Sequence, residues 1–162
     1  MNGTQESASK HATAMVSADG FAMACGILVA GADAEAPALI LTAPISFWGG
    51  VDPKNGDIID SRHPERGRNI AGTVLGLPGT IGSSSASAVL LELVHARLSP
   101  AAILMPEPDA ILLLGLIVAR EMGLAVPMAL RMTAEDQARL AGVMVRIFVN
   151  GTTQHRGAIP LP

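Results

Sequence analysis

Four serines follow one glycine in Gly82-Ser-Ser-Ser-Ala-Ser87, and the run opens directly onto an apolar segment. A glycine-rich loop at a helix start presents backbone N–H groups without intrahelical partners, together with the positive end of the helix dipole. Both favour an anion. A serine hydroxyl placed there can donate to a carboxylate or phosphate, and it can take a proton as a base if its alkoxide is stabilised. The same residues would also serve a helix cap, since serine is a favoured N-cap and small side chains allow close packing. Residue types alone leave cap and site open. Two other chemistries lack their motif. A P-loop needs Gly-Lys-Ser/Thr, and no lysine follows Lys54. A nucleophile elbow needs Gly-x-Ser-x-Gly, and Ala86 stands where its last glycine should be.

Asp60-Ser-Arg-His-Pro-Glu-Arg-Gly-Arg68 is the most basic stretch, with three arginines and one histidine in nine residues. His63 with Arg62, Arg66 and Arg68 could bind an anionic substrate or dock a partner, or could form a solvated charged loop. His11, His95 and His155 show no metal-ligand spacing and receive no role. The single cysteine, Cys25, cannot form an internal disulfide or by itself build a zinc or iron–sulfur site. It reads as a buried structural thiol, and no metal site is expected on this chain.

The elements that must carry these residues follow from periodicity and turn chemistry. Residues 1–18 are small and polar without a usable period and read as a flexible leader, and 19–162 as a single domain. Met23 to Ala30 and Ala38 to Thr42 read as two strands joined by a tight connection. Phe47-Trp-Gly-Gly50, two large aromatics beside two glycines, suggests an apolar plug or a close backbone approach, and Asp52-Pro-Lys-Asn-Gly56 begins a long exposed loop. Ile70 to Leu77 reads as a strand turned by Pro78-Gly79 into the serine loop. Val89, Leu90, Leu93, Val94 and Leu98 then fall at helical spacing, and Pro100 stops the helix. Ala101 to Met105, Asp109 to Met122 and Ala125 to Leu130 read as strand, helix and strand. Thr133 with Asp136 forms a capping box for a short helix, and Gly142 to Asn150 alternates as a strand ending in an Asn150-Gly151 hairpin. This order is β-rich, then β/α, then β, which fits an α/β chain built as a compact β/β/α domain better than a doubly wound parallel sheet.

Composition sets the limits of function. The chain has 162 residues, of which 49% are apolar and 15% charged, so it can bury one sizeable aliphatic core. A formal charge of −3 and aromatic residues limited to three Phe and one Trp speak against nucleic acid. The longest apolar run, near Ala110 to Ala119, is too short to span a membrane, and the segment before Phe21 lacks the positive leader of a signal peptide. The expectation is a cytoplasmic protein with neither nucleic acid nor membrane as partner.

Taken together, Ile45-Ser-Phe-Trp-Gly-Gly-Val-Asp-Pro-Lys-Asn-Gly-Asp-Ile-Ile-Asp60, His63-Pro, Ile70-Ala-Gly-Thr-Val, Pro78-Gly, Gly82-Ser-Ser-Ser and Glu107-Pro-Asp-Ala-Ile resemble the swivelling domain, or small subunit, of the aconitase X family. The resemblance runs from about Gly26 to Leu130 in matching order. It implies the swivelling β/β/α fold of aconitase-superfamily small subunits and a hydro-lyase active only with a large subunit, which carries the iron or iron–sulfur centre. Members of the family dehydrate cis-3-hydroxy-L-proline, in bacteria, or mevalonate 5-phosphate, in archaea. The family's proton acceptor is the serine of the glycine–serine loop before the helix, here Ser83. Gly82, Ser84, Ser85 and His63 would then contact the substrate, a small hydroxy acid, with Ser85 and Ser87 also serving capping and packing. Many relatives carry a basic residue just before the glycine–serine pair, where this chain has Thr80-Ile81. That difference favours hydroxyproline over a phosphorylated substrate, although Arg62, Arg66 or the partner could supply a cation. The alternative of another class is a non-catalytic swivelling module that captures a ligand. Phosphocarrier swivelling domains need a histidine in this loop, and it has none.

Overall fold

The structure, a computed structural model, describes residues 15–17 and 20–158. Its strands are β1 (Met15–Ser17), β2 (Gly20–Ala24), β3 (Gly26–Val29), β4 (Ala34–Ile40), β5 (Val74–Gly76), β6 (Ala102–Met105), β7 (Met128–Arg131), β8 (Val143–Ile147) and β9 (Thr152–Ala158). A tight turn, α1 (Phe47–Gly50), in which Trp48 and Gly49 leave helical backbone angles, precedes the helices α2 (Ala86–His95), α3 (Ala110–Glu121) and α4 (Ala134–Ala138). Of the leader expected over residues 1–18, only Met15–Ser17 are described, as β1, and the rest lies outside the described residues.

All nine strands form one sheet in the order β1-β2-β9-β8-β4-β5-β6-β7-β3. β4, β5, β6 and β7 are parallel neighbours, and the remaining pairs are antiparallel. The parallel strands read as unbroken apolar runs because both their faces are covered: β5 and β6 are buried at every position. Parallel neighbours require crossovers, and α2 and α3 supply those from β5 to β6 and from β6 to β7. Side-chain alternation divides the core in two. Leu39, Leu75 and Ile103 point to the side that α2 and α3 cover with Leu90, Leu93, Leu112 and Leu116. Val74, Ala102, Leu104 and Leu130 point to the other side, where β8 contributes Val145 and Ile147. β2 and β3 lie near opposite ends of the strand order yet are separated in sequence by Cys25 alone, so the sheet curls until it nearly closes. This is the β/β/α architecture expected from the order of elements.

Three details differ from the sequence reading. The apolar runs at 23–30 and 38–42 are not a hairpin: the first is divided between β2, which pairs with β9, and β3, which pairs with β7, while β4 pairs with β8 and β5. Local apolarity marks a strand but not its partner. The strand expected over Ile70 to Leu77 shrinks to Val74–Gly76, because the chain turns at Gly72, whose φ is +67°. The loop after Phe47 is also less exposed than its polarity suggests. Phe47, Val51, Ile58 and Ile70 are all buried, and isolated bridges join Val51 to Ile58 and Asp57 to Asn69. Phe47 turns into the core while Trp48 stays 61% exposed.

Candidate functional site

The serine loop leaves the carboxyl end of β5, a central parallel strand, at the same edge as the loops that follow β4, β6 and β7. Its first half continues the sheet. Leu77 N–H donates to Leu104 O (2.9 Å) and Ile81 N–H to Ile45 O (3.0 Å), and Ile45 bridges Thr80. Next to it, the turn after β6 places Glu107 and Asp109. Between the two loops lies an open cleft of about 510 Å³, walled by Pro78, Gly79 and Thr80 on one side and by Glu107, Asp109 and Ile111 on the other.

α2 begins at Ser85, the N-cap residue, whose side chain makes no capping bond. The capping role falls instead to Ser83: its Oγ accepts the Ser85 N–H at 3.3 Å and its carbonyl accepts the Ala86 N–H at 2.9 Å. The Ser87 hydroxyl donates to Ser84 O (3.1 Å). No acidic side chain occupies the first turn, so the positive helix end is not offset locally. Ser83 is half-buried, whereas Gly82 and Ser84 are exposed. A hydroxyl held this way receives a backbone N–H and the dipole of a ten-residue helix, and both stabilise negative charge on its oxygen.

Asp109 caps α3, accepting from Ile111 N–H (2.9 Å) and Leu112 N–H (3.1 Å) through one oxygen. Its other oxygen accepts the Thr80 hydroxyl. Burial pushes its carboxyl up, but the Thr80 hydroxyl and the Leu112 and Ile111 amides outweigh that and hold it below the usual carboxylate range. Arg131, at the end of β7, reaches across to Glu107 (3.0 Å) and Pro106 O (3.1 Å). Gln137 of α4 is buried and donates to Met132 O (3.0 Å) and, more distantly, to Leu77 O (3.5 Å), at the root of the serine loop.

Gly82, Ser83, Ser84 and Ser85 are thus together by sequence, while His63 lies apart in the loop before β5. It is buried, and its hydrogen bonds run to its own surroundings. Nε2 lies 3.1 Å from Ala43 O, and Nδ1 accepts the Glu65 N–H at 3.2 Å. A carbonyl only accepts, so Nε2 carries the proton. Glu65 in turn accepts the Thr42 hydroxyl at 2.6 Å. His63 therefore braces the Ala43–Ile45 segment, which pairs with Thr80 and Ile81. Arg62, Arg66 and Arg68 are exposed. Cys25 lies 3.7 Å from the Thr153 hydroxyl, and burial pushes its thiol up. Among the described residues no group of three His, Cys, Asp or Glu could hold a metal ion, and no helix is long and apolar enough to cross a membrane. The iron centre implied by the resemblance has no ligand set here.

The family model described as the aconitase X swivel domain matches residues 22–155. The chain belongs to this family. The swivel domain is 50% identical over 105 residues to cis-3-hydroxy-L-proline dehydratase of Pseudomonas aeruginosa, a match covering 63% of this chain and 18% of that protein. It is 43% identical over 83 residues to the phosphomevalonate dehydratase small subunit of Methanothermobacter thermautotrophicus, covering 51% of this chain and 63% of that one. The chain thus spans under a fifth of the first relative and less than two thirds of the second. The crystal structure of Thermococcus kodakaraensis aconitase X in its holo-form superposes with a TM-score of 0.73 at 28% identity, covering 84% of this chain and 98% of that chain.

Sequence reasoning about the swivel domain missed three residues that shape its site. Asp109 reads in the sequence only as the first residue of a helix, whereas it is the N-cap, and its bond to Thr80 spans 29 residues and leaves no local trace. Gln137 gives no signal beyond being polar in an amphipathic turn. Glu65 looked like one charge among many in a polar loop.

Proposed function

We propose that this chain is the small subunit of a hydro-lyase that dehydrates cis-3-hydroxy-L-proline to Δ1-pyrroline-2-carboxylate, with Ser83 as the base that takes the α-proton. The observation that carries the reading is the Ser83 hydroxyl beside the α2 N-terminus, receiving the Ser85 N–H, in the loop whose first residues, Pro78, Gly79 and Thr80, wall a cleft. Removing the proton leaves charge on the substrate carboxylate and α-carbon, which the loop amides at Gly82 and Ser84 would meet while the Ser85 N–H holds the Ser83 hydroxyl. His63 supports this loop from behind through Ala43. Departure of the hydroxide is assigned to a large subunit, which would carry the iron or iron–sulfur centre, because this chain's described residues do not form one.

The choice of hydroxyproline rests on two supports. Identity is higher to the bacterial hydroxyproline dehydratase than to the archaeal small subunit, 50% against 43% over the matched residues. The loop from Leu77 to Ser85 also carries no cation to meet a phosphate. Mevalonate 5-phosphate is the second reading, favoured by the 43% identity over 83 residues to an archaeal phosphomevalonate dehydratase small subunit. The test is to combine the full chain with the large subunit encoded in the same organism and follow product formation from both substrates. Turnover of cis-3-hydroxy-L-proline alone supports the proposal, turnover of mevalonate 5-phosphate alone replaces it with the second reading, and turnover of neither refutes the enzymatic assignment.

A further inference from the structure

Ser83 sits on a short span with an anchor at each end, and α3 contributes to both. Upstream, backbone hydrogen bonds hold the chain as far as Ile81, and the Thr80 side chain adds a tie to Asp109, the N-cap of α3. Past Ile81 the chain is uncrowded: a Cβ built on Gly82 would meet no atom within 4 Å. Downstream, the first turn of α2 presses on α3. A Cβ built on Gly115 would lie 2.5 Å from Ser87 O and 3.2 Å from the Ser87 Cα and carbonyl carbon. Those atoms are backbone and cannot rotate away, so only glycine permits the approach. Asp109 and Gly115 are about 9 Å apart along the helix axis, at 1.5 Å per residue.

We infer that Thr80, Asp109 and Gly115 are positioning residues for Ser83. α3 grips the chain on both sides of the Gly82–Ala86 span, and so a helix that offers no group to the reaction sets where the hydroxyl points. A span of five residues fixed at both ends has few conformations open to it, and loosening either end returns part of the backbone freedom that ordering removes, about 1–2 kcal/mol per residue when complete. The bond to Thr80 is of the stronger kind, because its acceptor is an ionised carboxylate already oriented by two amides. The catalytic consequence rests on the reading of Ser83 as base; the structural claim does not.

The test uses the full chain with Thr80→Val, which keeps the shape and removes the donor, Thr80→Ser, which restores the hydroxyl, and Gly115→Ala. Amide hydrogen exchange on the chain alone reports the span directly through the Ile81, Ser85 and Ala86 N–H groups, with Leu104 in β6 as the internal reference. Loss of a hydrogen bond to a charged acceptor should speed exchange at those three amides about tenfold or more in Thr80→Val. Thr80→Ser should return to near the original rate, Gly115→Ala should speed the same amides from the other end, and Leu104 should not change. In the reconstituted pair, kcat should fall in Thr80→Val and Gly115→Ala while KM stays close to its original value, and Thr80→Ser should recover kcat. Unchanged exchange at Ile81, Ser85 and Ala86 in both Thr80→Val and Gly115→Ala overturns the inference. If the original pair turns over neither substrate, the base reading fails, while the exchange rates still decide the positioning claim.

Discussion

Ser83→Ala and Ser85→Ala test the proposed base, because the Ser83 hydroxyl accepts a backbone N–H at the start of α2 whereas the Ser85 side chain makes no capping bond. Ser85 holds the N-cap position without a side-chain bond, so its replacement should cost only a few tenths of a kcal/mol rather than the ~1 kcal/mol usual for a cap. Ser83 does accept an N–H, but at 3.3 Å, longer than the usual 2.7–3.2 Å. Its loss should therefore cost no more than about 1 kcal/mol, which for a chain of this size lowers Tm by roughly 2–4 °C. Removing a general base, by contrast, slows the chemical step by about 10²–10⁴-fold. Urea unfolding of each variant and turnover of cis-3-hydroxy-L-proline by the reconstituted pair give the two readouts. The expected pattern is a folded Ser83→Ala chain with almost no turnover beside a Ser85→Ala chain that keeps most of its activity. A Ser83→Ala chain that is stably folded and within about threefold of the original rate would show that another group takes the proton.

Three further outcomes follow from the packing and electrostatics. Leu90 is fully buried between α2 and the sheet, so Leu90→Ala should cost about 2–5 kcal/mol in denaturant unfolding with little change in m. Gln137→Leu would leave Met132 O without its buried donor and release Leu77 O, for a loss of about 1–3 kcal/mol. Turnover should drop with it, because Leu77 roots the serine loop. Asp109 is depressed in the folded chain, so its stabilisation is complete above the ordinary aspartate value of about 3.9 and is lost as pH falls below that toward the folded value. Thermal unfolding followed from about pH 5 to pH 2 should show a shallower acid decline in Asp109→Asn than in the original chain.

Features set by neighbouring residues were legible in the sequence. α2 and α3 lie close to where helical spacing and Pro100 put them, Thr133 caps α4 by accepting the Asp136 N–H at 3.1 Å, although the Asp136 carboxylate accepts the Thr133 hydroxyl where a full capping box would take the backbone N–H, and Asn150-Gly151 does close the β8–β9 hairpin. Pairing was not legible. Nothing in Met23 to Ala30 says that its halves join strands near opposite ends of the sheet, because an apolar strand is compatible with many partners and topology selects among them. Burial in the loop before β5 was hidden for a related reason. His63 and Glu65 are polar enough to suggest solvent, yet they are enclosed by Thr42 and Ala43, some twenty residues earlier.

The same distinction explains why the site could be only half read. The serines are contiguous, so their chemistry is visible in a single line of sequence, but what aims them is not. Each support comes from a different strand end: Ile45 from beyond β4, Asp109 from beyond β6, and Gln137 from beyond β7, all converging on a loop that leaves β5. A parallel arrangement makes this convergence unavoidable, because strands running the same way deliver all their carboxyl-end loops to one edge. The crossovers then return each chain to the opposite edge and keep the supports far apart in sequence. The four-strand parallel core thus lets a loop with no large side chain of its own between Gly82 and Ser87 hold a hydroxyl in a fixed direction. It also implies that substitutions well outside the serine motif, at Thr80, Asp109 or Gln137, should disturb turnover more than changes at Ser85 or Ser87 within it.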